Sequence, residues 1–122
     1  MTELDRILVV EDDPLVSEVI AAALGDVYST TLAETAEAAL TLLRGGGFRL
    51  MLLDCTLPGG MHTELPIEAD RLGTAVILMS GDPDRVAQLS DRPRPFLQKP
   101  FTLGTLLDAV NAVLASTTSH PT

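Results

Sequence analysis

Short apolar runs alternate with amphipathic stretches along most of the chain, and the first run is Ile7-Leu8-Val9-Val10. An unbroken run of this kind suits a parallel strand covered on both faces, since a strand with one wet face would alternate with polar residues. The run stops at Glu11-Asp12-Asp13, and Pro14 fits the first turn of a helix with Asp13 as its N-cap. Leu15, Val16, Val19, Ile20, Ala23 and Leu24 then recur at helical spacing up to Gly25. Val27 to Thr31 predicts a more polar strand, suited to a sheet edge. Residues 35 to 44 predict an alanine-rich helix with Ala36, Ala39, Leu40 and Leu43 inward, stopped by Gly45-Gly46-Gly47.

The second half repeats the alternation. Leu50 to Leu53 predicts a third buried strand ending at Asp54, followed by the turn-rich TLPGGMHTELP and a short helix from about Ile67 to Leu72. Ala75 to Met79 predicts a fourth strand ending at Ser80, and a short helix follows Pro83. The fifth strand is expected at Pro95 to Gln98. A helix from Leu103 to about Leu114, N-capped by Thr102, carries Leu103, Leu106, Leu107, Val110, Val113 and Leu114 as one stripe. Five strands alternating with five helices predict an α/β fold, a parallel sheet with helices on both faces, because right-handed crossovers leave few other topologies. STTSHPT reads as a solvated tail, which divides the chain into a domain over 1–115 and a polar segment over 116–122.

Composition narrows the function classes. At 122 residues, 46% hydrophobic and 20% charged, the chain is globular and can form one core. Its apolar runs fall well short of the roughly 18 to 20 residues that span a bilayer, and MTELDR is too acidic for a signal peptide, so a soluble cytoplasmic protein without a membrane partner is expected. A formal charge of −9 argues against a nucleic-acid surface and suits a divalent cation. The single cysteine, Cys55, excludes an intramolecular disulfide or a cysteine-built zinc site and reads as a small buried hydrophobe. His62 and His120 are too far apart in sequence to suggest a cluster, and His62 falls in the turn-rich loop.

Open α/β sheets bind ligands at the C-terminal ends of their strands. There the chain places Glu11 and Asp12 after strand one, Asp54 after strand three, Ser80 after strand four and Lys99 after strand five. Lys99 is the only lysine; the other basic residues are arginines. Asp13 is accounted for as a helix cap, but Asp54 follows four apolar residues, and a charge so placed needs a partner. A hard cation with oxygen ligands would satisfy the three carboxylates, and Mg²⁺ prefers one or two carboxylates with water and phosphate. Lys99 would add a compact charge able to follow a phosphoryl oxygen.

ILVVEDDP at 7–14, LLD at 52–54 with LPGG after it, ILMSG at 77–81 and FLQKPF at 96–101 occur in this order. Through them the chain resembles the receiver domain of two-component response regulators, from about residue 5 to 115. The resemblance implies a doubly wound, flavodoxin-like sheet in strand order 2-1-3-4-5. It implies that Asp54 takes a phosphoryl group from a sensor histidine kinase or a histidine phosphotransfer protein. Mg²⁺ would be held by Asp12 and Asp54, by Glu11 through water, and by the backbone carbonyl of Thr56. Lys99 and Ser80 would contact the phosphoryl oxygens, Gly81 would leave them room, and Phe96 would reorient with Ser80 to signal at the surface of helix four, strand five and helix five. The domain would thereby catalyse its own phosphorylation and dephosphorylation. Thr56 and Asp82 occupy positions that tune hydrolysis in the family, and the Lys99-Pro100 bond would be cis.

Some features depart from that pattern. The stretches from Asp54 to Ser80 and from Ser80 to Lys99 are short, Pro66 falls where helix three begins, and SDRPRP at 90–95 replaces a helical turn, so short or irregular third and fourth helices are expected. A haloacid dehalogenase-type phosphatase would carry a second aspartate two residues after the nucleophile, where Thr56 stands. A phosphorylation-independent binding module would have lost the acidic pair, the acceptor or the lysine, and all are present. With seven polar residues after the last helix, the expectation is a stand-alone regulator acting through a downstream protein; the alternative is a receiver cut from a larger regulator.

Overall fold

The computed structural model describes residues 4–58, 63–89 and 93–118. Five strands, β1 (Arg6–Val10), β2 (Ser29–Ala33), β3 (Phe48–Asp54), β4 (Ala75–Ser80) and β5 (Phe96–Gln98), alternate with α1 (Pro14–Leu24), α2 (Ala36–Gly45), α3 (Glu64–Arg71), α4 (Pro83–Leu89) and α5 (Leu103–Thr118). All strand pairs are parallel, in the order β2-β1-β3-β4-β5. This is the doubly wound flavodoxin-like sheet expected from the sequence.

The unbroken apolar runs have their explanation in the pleat. Ile7 and Val9, Leu50 and Leu52, and Ile77 and Met79 pack with Ile20, Leu24, Leu106, Val110 and Leu114 of α1 and α5. Their neighbours Leu8, Val10, Met51, Leu53, Val76 and Leu78 pack on the opposite face with Ala39, Leu43, Leu65 and Ala69 of α2 and α3. Successive strand residues thus enter different cores, and each must be apolar. Gly46 and Gly47 turn the chain from α2 into β3 at φ +84° and +91°, a region where side chains are strained. Among the described residues no helix is long and apolar enough to cross a membrane.

The boundaries differ from expectation in ways with local causes. β2 begins at Ser29, because the amides of Val27 and Tyr28 bond back to the Leu24 carbonyl at 3.0 and 2.8 Å and form the turn after α1. The third helix starts at Glu64, with Pro66 inside its first turn, where a missing N–H costs no intrahelical bond. It and α4 are short, eight and seven residues. α5 continues to Thr118, three residues into the segment read as a tail, since polar residues without Gly or Pro do not stop a helix. Two stripes are also narrower than their spacing suggests: Leu15, Val19 and Leu103 are 71%, 41% and 50% exposed. His62, His120 and part of the 90–95 stretch lie outside the described residues.

Candidate functional site

Parallel pairing brings the strand ends together. The Glu11 amide bonds to the Ala33 carbonyl at 3.0 Å, Cys55 to Met79 at 2.9 Å and Lys99 to Ser80 at 2.9 Å, so the ladder continues one step past β1, β3 and β5 and fixes where their next side chains emerge. Glu11 and Asp54 are almost fully buried, while Asp12 is exposed at the rim. One carboxylate oxygen from each of Glu11, Asp12 and Asp54 lies within 4.8 Å of the others.

Lys99 joins this group as a cation. Its Nζ donates to Glu11 Oε1 at 2.8 Å and lies 3.4 Å from Asp54 Oδ1. Asp54 Oδ1 also accepts from the Thr56 amide at 3.0 Å and the Thr56 hydroxyl at 2.8 Å. Glu11 Oε2 accepts the Asp13 amide at 3.2 Å, while Asp13 Oδ1 takes the Leu15 amide at 2.9 Å, which makes Asp13 the cap of α1 and leaves it out of the carboxylate cluster.

The protonation equilibria split accordingly. Burial, reinforced by the neighbouring Asp54 and only partly offset by Lys99, pushes Glu11 up to about 7. Burial acts on Asp54 in the same direction, but it is outweighed by the Thr56 amide and hydroxyl, by Glu11 and by Lys99, so Asp54 titrates below the ordinary carboxylate range. Lys99 is held above its usual value because its two carboxylate partners outweigh the effect of burial. Three carboxylate oxygens within 4.8 Å of one another, two of them on almost fully buried side chains, form an oxygen donor set of the kind a hard cation takes. The donor set therefore fits Mg²⁺.

Ser80 is fully buried at the end of β4. Its hydroxyl donates to the Asp82 carbonyl at 3.1 Å and accepts the Asp82 amide at 2.9 Å, so it is bonded to the loop entering α4. Asp82 in turn accepts the Asp84 amide through its side chain at 2.9 Å. Gly81 leaves open space beside this turn, since an added Cβ would meet only the Lys99 carbonyl, at 3.8 Å. Phe96, on β5, is half-buried against the core on the α2–α4 side. The Lys99-Pro100 bond is cis. Cys55 is buried, and burial raises its thiol to about 11, the state of an inert core residue.

Two features escaped the sequence reading. One is the Thr56 hydroxyl on Asp54, although an aspartate accepting the amide two residues on is a common local motif and could have pointed to it. The other is an open, mostly apolar groove of about 480 Å³ beside Lys99, lined by Leu15, Val16, Val19, Pro100 and Phe101.

Comparison with known proteins agrees with this geometry. The family model for the response regulator receiver domain matches residues 7–111. The chain is 31% identical over 118 residues to the uncharacterized transcriptional regulatory protein YkoG of Bacillus subtilis, covering 92% of this chain and 52% of that one. It is 32% identical over 115 residues to the transcriptional regulatory protein TcrA of Mycobacterium tuberculosis, covering 88% and 45%. It thus spans about half the length of these curated relatives. Among solved structures, a CheY-like response regulator receiver domain protein of Methanospirillum hungatei superposes with a TM-score of 0.81 at 27% identity, over 94% of this chain and 97% of that one. The signal receiver domain of an HD domain-containing protein of Pseudomonas fluorescens gives 0.85 at 25% identity, over 98% and 93%. The chain belongs to the response regulator receiver domain family.

Proposed function

We propose that this receiver accepts a phosphoryl group on Asp54 in a Mg²⁺-dependent reaction and passes the signal on by a conformational switch. The observation that carries the reading is the convergence of three carboxylates within 4.8 Å beside a cation 3.4 Å from Asp54. In the reaction a carboxylate oxygen of Asp54 attacks phosphorus, the O–P bond forms as the donor's N–P bond breaks, and the imidazole leaves with a proton. Asp12, Asp54 and the Thr56 carbonyl would hold the ion, with Glu11 acting through water. Bound there, Mg²⁺ supplies charge stabilisation to the phosphoryl oxygens. Lys99 would supply a second positive charge, already drawn to the site by Glu11. Ser80 would exchange its bonds to Asp82 for one to the phosphoryl group, freeing the loop into α4, with Phe96 following.

The donor is a phosphohistidine on a sensor histidine kinase or a histidine phosphotransfer protein. Since Asp54 is only 2% exposed, that protein must seat against the mouth of the site, and the apolar groove lined by Leu15, Val19 and Phe101 shares Lys99 with it. Signalling would take place in the cytoplasm, through a downstream protein or a further segment.

The test is intact mass after incubation with acetyl phosphate and Mg²⁺. Wild type should gain one phosphoryl group, and both Asp54→Asn and an EDTA control should gain none. Equal labelling of Asp54→Asn would remove Asp54 from its role.

A further inference from the structure

In the free protein one oxygen of Asp54 is already saturated. Oδ1 accepts the Thr56 amide and hydroxyl at 3.0 and 2.8 Å and lies 3.4 Å from Lys99 Nζ. A carboxylate offers about two lone-pair directions per oxygen, and the two Thr56 hydrogen bonds fill those of Oδ1 and leave none for a metal ion. The acceptor chemistry nonetheless needs both oxygens at once, one on the cation and one on phosphorus.

One of the two Thr56 bonds must therefore break, with Lys99 staying as the neighbouring charge. The Thr56 amide is fixed by the backbone. Lys99 is anchored to Glu11 at 2.8 Å, and its charge is needed where it stands. The Thr56 hydroxyl sits on an exposed side chain and can leave by rotation about a single bond into water. We propose that this hydroxyl is a latch on Asp54: in the unmodified protein it occupies Oδ1 in place of the cation, and it swings away when the carboxylate takes up metal and phosphoryl group together. Thr56 is then a positioning residue through its side chain, apart from any ligand role of its carbonyl. The inference rests on Asp54 being the acceptor.

Removing the hydroxyl acts in one direction on two quantities. Oδ1 becomes open to the metal without a hydrogen bond to break, and the carboxylate loses a donor that dampens its nucleophilicity. The experiment is a Mg²⁺ titration of the whole chain, followed by the amide resonances of Cys55 and Thr56, for wild type, Thr56→Ala and Thr56→Ser. Because Thr56 is exposed, the alanine variant leaves no cavity, and its metal-free melting temperature should fall only by the few degrees that losing one hydrogen bond to Asp54 costs. Thr56→Ala should bind Mg²⁺ roughly three- to tenfold more tightly, the range expected for one ordinary hydrogen bond at an exposed side chain that water can replace. Its labelling by acetyl phosphate should quicken in parallel. Thr56→Ser, which keeps the hydroxyl, should stay near wild type. Alanine binding equal to or weaker than wild type would overturn the latch, as would a serine variant that behaves like alanine. A wild-type chain that neither binds Mg²⁺ nor takes a phosphoryl group would instead overturn the acceptor reading, and the latch with it.

Discussion

Glu11 concentrates the electrostatic tension of the site. It holds its proton up to about 7 in the folded protein, against an ordinary value of 4.5 that the unfolded chain would show. Between those values the folded state binds more protons than the unfolded one, so ionising Glu11 lowers stability as pH rises from about 4.5 to about 7. Its two partners leave that window undisturbed. Asp54, shifted downward from 3.8, is ionised throughout and loses its contribution only at lower pH; Lys99, shifted upward from 10.5, loses its contribution only at higher pH. The metal-free protein should therefore melt at progressively lower temperature across this range, and Glu11→Gln should flatten the curve. Since the cation favours the ionised form, apparent Mg²⁺ affinity should rise by up to about tenfold per pH unit below 7 and level off above it. Calorimetric titration at several pH values checks this, and a flat wild-type profile would contradict it. The residue identities were legible in the sequence because each stands at a strand end. The pairing of Lys99 with Glu11, nearer than its contact with Asp54, was not: a side-chain rotamer decides it, and linear spacing carries no such information.

The helices show where periodicity misleads. Leu15 and Val19 recur with the core residues Ile20 and Leu24, yet they face water beside Lys99 and Phe101. A stripe wider than the core can cover is invisible as such in a sequence, because apolar spacing specifies a face without saying what covers it. At Pro66 the short helix came out as expected but starts three residues before Ile67, because the proline sits in the first turn, which needs no donor there. The exposed part of the α1 stripe separates two routes to Asp54. Leu15→Asp places a charge in the groove without touching the carboxylates or the core, so labelling by acetyl phosphate should stay within about twofold of wild type. Transfer from a phosphohistidine protein should fall by roughly tenfold or more, the loss expected for a desolvated anchor in an interface. Parallel time courses with the two donors would check it; an equal fall with both would mean that the substitution damages the site itself.

Across the whole molecule, the site is a product of the sheet. Its residues come from four strand ends, and no element holds more than two of them, so their mutual distances depend on two cores packed against opposite faces. This layout was readable because a strand buried on both sides must be apolar at every position, and ILVV, LMLL and AVILM each end where the chemistry begins. Ligand binding couples the two levels. A cation that binds only the folded state stabilises it by about 2.7 kcal/mol at a hundredfold excess over its Kd. Leu52, fully buried between β3 and the α1–α5 face, has no contact role in the cluster, and Leu52→Ala should cost about 2 to 5 kcal/mol. If the strand ends keep their register, that variant should still gain the same increment from Mg²⁺ as wild type, because separated sites add. Asp12→Asn should show the reverse, near-normal stability in EDTA and little or no gain from the ion, since the exposed Asp12 carboxylate belongs to the carboxylate cluster and not to the core. Denaturant melts of the three proteins with and without Mg²⁺ separate the cases. Loss of the increment in Leu52→Ala would show that packing on the far side of the sheet sets the metal geometry directly.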